Sequence, residues 1–393
     1  MGIWSLYQPF QRPLKLRQTS HTTKTVIIIL IVEMCGFTRN HKEDLGTGCH
    51  GTTIRGKFIT GTMTTRGTMA TTITIERPGI SRKVVIVGSG DVGASFAYAL
   101  LQSGTAESIV LIDSRKELAE GQALDLAHGL PFVPTTIVRA GTPDDYDDAT
   151  VIVITAGSRQ KPGESRLDLL KRNAFIMDQI MDMITAHESR AIIVVTSNPV
   201  DALTYAALKR TEWPRNRIFG SGTVLDSARF RHLLGRHCGV DVRSVHAYIL
   251  GEHGDSEVPA WSMTNIAGMP MDDYCPACQQ CGDWSKERNR IVTEVRDSAY
   301  HIIEAKGSTC YAIGLALVRI VEAVLRNEHS VLTVSTLLEG EYGLKDVCLS
   351  VPCIVSESGV ERIIEGKLTE QELSALSASA SVIKERLLQL SSS

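Results

Sequence analysis

Residues Val84 to Gly104 read VVIVGSGDVGASFAYALLQSG, and this stretch decides the fold. A buried-strand run of four β-formers leads into Gly88-Ser89-Gly90-Asp91-Val92-Gly93, and a helical apolar pattern then runs on to close at Gly104. A glycine triplet alone says little. A GxGxxG that ends a buried strand and opens a helix is the turn a dinucleotide pyrophosphate requires. Gly88 permits the tight turn, Gly90 lets the backbone approach the phosphates, and Gly93 lets the helix pack closely on the strand. The helix start, with Asp91 and Val92, adds free N–H groups and the positive end of a dipole. The next strand, SIVLID, ends at Asp113, about 20 residues beyond Gly93, where a carboxylate bonds the adenosine ribose and repels a 2′-phosphate. NAD is therefore expected rather than NADP. The plainer reading of Asp113 is a helix N-cap, because helix formers follow it.

Outward from this turn, strands and helices alternate. KELAEGQALDLAHGL is a helix, TVIVITAG and AIIVVTSNP are later strands, and SVLTVSTLL (Ser330–Leu338) is a further buried strand. The alternation predicts an α/β fold: a doubly wound parallel-sheet Rossmann domain over 81–225, then an α+β substrate-binding domain over 226–393. Upstream the composition changes. Residues 1–80 are rich in Thr and Gly and hold neither apolar period, so they are expected to be an unstructured or wrongly assigned extension. Translation from Met69 would give a short lead-in of the usual length. The apolar run Val26–Val32 is preceded by Lys15, Arg17 and Lys24 like a signal-peptide core, but falls far short of the roughly 20 residues of a membrane span.

The 393 residues suffice for two domains, and a net charge of −3 gives no electrostatic case for nucleic acid or an anionic membrane. Nine cysteines, an odd number scattered through a long chain, make no disulfide framework, so a reducing, cytoplasmic setting is expected. Cys275, Cys278 and Cys281 form CPACQQC; without a nearby fourth ligand this is half a zinc site, and no metal is expected.

Three polar segments carry candidate chemistry. LGEHGDSEVP (Leu250–Pro259) flanks His253 with Gly251 and Gly254, a backbone shaped to present an acid/base group. GSGTVLDSARFR (Gly220–Arg231) offers Asp226, which can fix the histidine tautomer, and Arg229, which can hold a carboxylate by two parallel bonds. Without other information, the plainer reading is a helix start with Asp226 as cap and arginines on solvated faces. AGSRQKPGESRLDLL (Ala156–Leu170) follows a strand end and suits a mobile lid, with Arg166 able to polarise a carbonyl. Gly157, Ser158, Thr196, Ser197, Asn198 and Ser221 follow strand ends, where a bound dinucleotide is expected.

Together these segments, with KGSTCYAIG, resemble the lactate/malate dehydrogenase family over about Lys83–Leu390, and within it the bacterial L-lactate branch. The resemblance implies His253 as proton donor and acceptor, Asp226 as its partner, and Arg229 as the clamp on the substrate carboxylate. It also implies Arg166 on the carbonyl, Asn198 beside the substrate oxygen, and Thr309 beside the substrate side chain. Malate enzymes of the family carry an arginine where this chain has Gln160, which favours pyruvate and lactate over oxaloacetate and malate. Arg159 is adjacent, and the spacing through KPG to Arg166 supports this register. Arg231 and His246 match positions that bind fructose-1,6-bisphosphate across a subunit interface in activated bacterial enzymes, which implies that activator and a homotetramer. Two rivals are a malate dehydrogenase and a non-catalytic NAD-binding protein. Gln160 opposes the first, and the joint presence of His253, Asp226, Arg166 and Arg229 opposes the second.

Overall fold

The structure, a computed structural model, describes residues 82–158, 163, 165–278 and 282–391. The Thr- and Gly-rich extension, Met69, Gln160 and Cys281 lie outside the described residues, as do the side chains of Arg166 and Cys278.

Strand β1 (Lys83–Val87) alternates between two cores. Val84 and Ile86 enter one cluster while Val85 and Val87 enter another, so the strand is apolar without interruption because both faces are covered. Each such side chain contributes about 1.5–3 kcal/mol by leaving water. Helix α1 (Asp91–Ser103) follows the glycine turn and ends at Gly104, whose φ of 63° gives the left-handed cap. The chain continues through β2 (Ser108–Ile112), α2 (Lys116–His128), β3 (Ile137–Ala140), β4 (Val151–Ile154), α3 (Arg166–Ala186), β5 (Ile192–Val195), α4 (Val200–Arg210) and β6 (Ile218–Gly220). These six strands are parallel in the order β3-β2-β1-β4-β5-β6, the doubly wound arrangement expected.

Helix α5 (Val224–Cys238) opens the second half. Short strands β7 (Val245–His246), β8 (Ile249–Leu250), β9 (Val258–Pro259), β10 (Asn265–Ile266) and β11 (Met269–Pro270) come next, then α6 (Met271–Cys278), α7 (Trp284–Lys306) and α8 (Tyr311–Leu325). The chain closes with β12 (Ser330–Glu339), β13 (Lys345–Ser356), β14 (Gly359–Ile363) and α9 (Glu370–Ser391). The expected boundary at 225/226 falls inside the first turn of α5, and the main core runs across it. Strand β12 pairs antiparallel with β6 and extends the parallel sheet to nine strands, covering an edge that would otherwise template aggregation. Val84 and Leu317 therefore share a core with Val334 and Leu349, while a smaller core around Phe230, Ile249, Ile266 and Ile291 belongs to the second half. Among the described residues no helix is long and apolar enough to cross a membrane.

Candidate active site

Because β1, β4, β5 and β6 are parallel, their carboxyl ends share one edge of the sheet. Gly88 sits there with φ 105°, and a Cβ would fall 2.5 Å from the Ala156 nitrogen. At Gly93 a Cβ would fall 1.9 Å from the Gly88 carbonyl oxygen, so helix and strand approach as only glycine allows. Gly90 differs: a Cβ there would meet nothing within 4 Å, and its backbone faces open space at the start of α1, where Asp91 and Val92 form the first turn. Asp113 follows β2, accepting the Ser89 N–H on Oδ2 at 2.7 Å and the Arg115 N–H on Oδ1 at 2.9 Å. The N-cap of α2 is Arg115, so Asp113 braces the glycine turn instead of capping the helix.

Gly157 and Ser158 follow β4, Thr196, Ser197 and Asn198 follow β5, and Ser221 follows β6. The first two groups are tied by Asn173 of α3, which accepts the Ser158 N–H at 2.8 Å and donates to the Asn198 carbonyl at 2.8 Å. The Ser89 and Thr196 hydroxyls are buried at this edge without a hydrogen-bond partner among the described residues. Orphaned hydroxyls, an open glycine turn at a helix start and a carboxylate at the next strand end together fit a dinucleotide.

Beside this edge lies a cavity of about 370 Å³. Asn198, Asp226, Arg229 and His253 line it, so the structure brings together four residues the sequence singled out from three separate segments. Asp226 is 2% exposed in the first turn of α5, where the helix dipole favours its charge. Its Oδ2 lies 2.5 Å from His253 Nδ1, and its Oδ1 accepts from Arg229 Nη1 at 2.7 Å. It is therefore a buried anion between two cations, not the helix cap of the plainer reading, since the N-cap of α5 is Thr223. Burial would raise this carboxyl, yet His253 and Arg229 hold it below the usual carboxylate range. Burial likewise opposes charge on His253, but Asp226 outweighs it and the imidazole is pushed up to about 9.

The loop presenting His253 is fixed from several sides. Gly251 has φ 88° and exchanges backbone hydrogen bonds with Ser350 of β13 at 2.9 and 3.0 Å. A Cβ at Gly254 would fall 2.9 Å from the Glu252 carboxyl carbon. The His253 N–H donates to Asp201 Oδ2 at 2.8 Å, and Ser335 donates to Asp201 Oδ1 at 2.6 Å. Burial pushes Asp201 up to about 6. Glu257, also buried in the cavity wall, is pushed up to about 8 by burial and then by the Asp226 charge. Asp201, Asn173 and Glu257 carried no role in the sequence reading. The signal for the first two was a polar residue set in an apolar run of helix: Asn173 on the face of Leu170 and Met177, and Asp201 in a first turn otherwise made of Val200, Ala202 and Leu203.

Thr309 lies between α7 and α8 and is not among the residues lining this cavity. Arg166 begins α3 directly after the polar segment. Arg231 is partly buried rather than solvated: its Nε donates to the Ala247 carbonyl at 3.2 Å and its guanidinium lies over the Tyr248 ring. His246 is exposed on the adjoining β7. Cys275 is buried in α6, where His237 Nε2 lies 3.3 Å from its sulfur, so CPACQQC begins inside a helix.

Fold and site together define the class: an NAD-binding oxidoreductase chain whose dinucleotide edge adjoins a cavity holding a charged histidine–aspartate pair. The chain belongs to the lactate/malate dehydrogenase family. The family's NAD-binding domain matches residues 82–220, and its alpha/beta C-terminal domain matches residues 223–392. An L-lactate dehydrogenase of Treponema denticola is 55% identical over 309 residues, covering 79% of this chain and 98% of that protein. The minor L-lactate dehydrogenase of Enterococcus mundtii, solved in a ligands-bound form, aligns with TM-score 0.76 at 46% identity, over 78% of this chain and 98% of that one. A lactate dehydrogenase from a Medee basin deep-sea metagenome library aligns with TM-score 0.77 at 43% identity, over 79% and 99%.

Proposed function

We infer that the chain is an NAD-dependent L-lactate dehydrogenase that interconverts pyruvate and (S)-lactate, with His253 as the proton donor and acceptor. The observation carrying the assignment of roles is the Asp226–His253 bond at 2.5 Å inside a cavity beside the dinucleotide edge. With Nδ1 engaged by Asp226, Nε2 is the nitrogen left for the substrate oxygen. An imidazole pushed up to about 9 is protonated at neutral pH and ready to donate. Arg229 commits Nη1 to Asp226 and offers the rest of its fork to a carboxylate.

Glu257, held neutral near pH 7 by its raised pKa, adds no charge against an anionic substrate. Asn198 bonds the substrate oxygen, and Arg166 polarises the carbonyl. Gly88, Gly90, Gly93, Asp113 and the strand-end residues hold NAD, which when bound supplies the hydride acceptor and donor. As pyruvate is reduced, His253 gives its proton to the carbonyl oxygen and Asp226 stabilises the charge that remains until then. We extend the reading to a cytoplasmic homotetramer activated by fructose-1,6-bisphosphate at Arg231 and His246.

The deciding experiment compares pyruvate with oxaloacetate. The wild-type protein should favour pyruvate with NADH. Gln160→Arg should move preference towards oxaloacetate by about 3 kcal/mol, more than a hundredfold in the kcat/KM ratio, because it supplies a partner for the second carboxylate. A wild-type preference for oxaloacetate would make the chain a malate enzyme.

A further inference from the structure

Arg386 and Gln389, from the last turns of α9, line the same cavity as His253. Glu252, next to His253, is 3% exposed and spreads its interactions over that helix. Its Oε1 pairs with Arg386 Nη1, its Oε2 accepts from the Ser256 hydroxyl at 2.5 Å, and its backbone N–H donates to Ser379 Oγ at 2.8 Å. Ser379 Oγ also lies 3.0 Å from Ser256 Oγ. Ser379 and Arg386 are seven residues apart, so they share one face of α9 two turns apart. A Cβ on Gly251 would fall 2.8 Å from Ser379 Oγ, so helix and loop are in direct contact.

We propose that α9 is the positioning element for His253, with Arg386 and Ser379 gripping the loop at Glu252 and Ser256. The proposal rests on the reading of His253 as proton donor. The loop is held on one side by Asp201, which fixes the His253 backbone, and on the other by α9, which fixes its neighbours. A carboxylate as buried as Glu252 needs a cation, and without Arg386 it would stand unpaired one residue from the imidazole. Arg386 therefore sets both the loop's geometry and the charge beside it. Leu387 and Leu390 of the same helix pack against the core that contains Leu170 of α3, so α9 bridges the His253 loop and the helix that follows the polar segment.

The test uses the full-length protein with His253→Ala beside it. Arg386→Ala should lower kcat for pyruvate reduction about tenfold or more, as expected for a lost charge-assisted hydrogen bond, with a smaller change in KM. NADH binding should change far less than kcat, because the bonds α9 makes to the His253 loop involve none of the glycine-turn residues. Arg386→Lys, which keeps the charge, should restore most of the rate. Ser379→Ala removes an acceptor but no charge and should give a smaller loss; it carries the test if Arg386→Ala does not fold. Wild-type kcat in Arg386→Ala, or in Ser379→Ala where that variant stands in, with His253→Ala inactive, would overturn the proposal, as would failure of lysine to rescue. An active His253→Ala would instead remove the reading on which it rests.

Discussion

At the scale of single residues, the chemistry turns on how one buried carboxylate sets the charge of one imidazole. The sign follows from the geometry. Burial lowers the His253 pKa and Asp226 raises it, and the net value of about 9 means Asp226 prevails. Pyruvate reduction needs the imidazolium, so kcat/KM for pyruvate should hold below pH 9 and fall as pH rises through it. Lactate oxidation needs the neutral ring and should rise over the same range. Asp226→Asn removes the charge but leaves the burial, so the fall should move to or below the ordinary value of 6.5. At pH 7.5 that should lower kcat/KM for pyruvate about tenfold or more. A pH–rate profile of both proteins checks this; an unmoved limb would separate His253 from the proton transfer. His253, Asp226 and Arg229 were legible in the sequence because each sits in a compact polar motif that the resemblance could match. Asp201 and Asn173 were not, since their roles exist only once chain segments 52 and 25 residues away fold against them. Glu257 was printed in the same motif as His253, but what distinguishes it is burial, which neighbouring letters do not reveal.

At the scale of elements, the glycine turn separates structural from binding requirements. Gly93 has no room for a methyl group, since the Gly88 carbonyl stands 1.9 Å from the added carbon. Gly93→Ala should force α1 off β1, costing about 1–3 kcal/mol of stability and lowering Tm. Gly90 has open space and a φ of −73°, which alanine adopts without strain. Gly90→Ala should therefore keep the wild-type Tm while weakening NADH binding, because the methyl group occupies the approach to the phosphates. Thermal melts beside NADH fluorescence titrations distinguish the two; equal loss of stability in both would make Gly90 a packing requirement like Gly93. The strands and α1 were legible because their periods are long and their ends carry glycine. The continuous sheet was harder to foresee. Ser330–Leu338 is recognisable as a buried strand, but nothing local says that it pairs with β6, more than 100 residues earlier. CPACQQC reads locally as half a ligand set, and nothing in its spacing shows that its first cysteines lie in α6, with Pro276 inside the helix.

At the scale of the whole molecule, the family match begins at residue 82, and 79% of the chain already spans 98% of the Treponema denticola relative. Deleting residues 1–68 should therefore leave Tm and pyruvate reduction unchanged, and a marked loss of either in melts or steady-state rates would show that the extension contributes. Arg231 is partly buried, burial lowers its pKa, and no carboxylate pairs with it among the described residues. A desolvated cation without a counter-ion is a standing demand for an anion. It lies two residues beyond Arg229 on α5, and its Nε donates to the carbonyl of Ala247, which follows His246 and stands six residues before His253. A phosphate held there touches both segments that carry the substrate site, so binding can favour the arrangement with Arg229 and His253 in place. Linkage then requires reciprocity: fructose-1,6-bisphosphate should lower the pyruvate dissociation constant by the same factor by which pyruvate tightens the effector. Typical couplings of about 1–3 kcal/mol make this roughly a 5- to 150-fold effect. Arg231→Ala should abolish the activation while leaving the unactivated rate near wild type, because Arg231 does not line the substrate cavity. Steady-state kinetics and sedimentation with and without effector measure both arms. If saturating effector alters neither the pyruvate KM nor the oligomeric state, then the demand at Arg231 is met by something other than this phosphate.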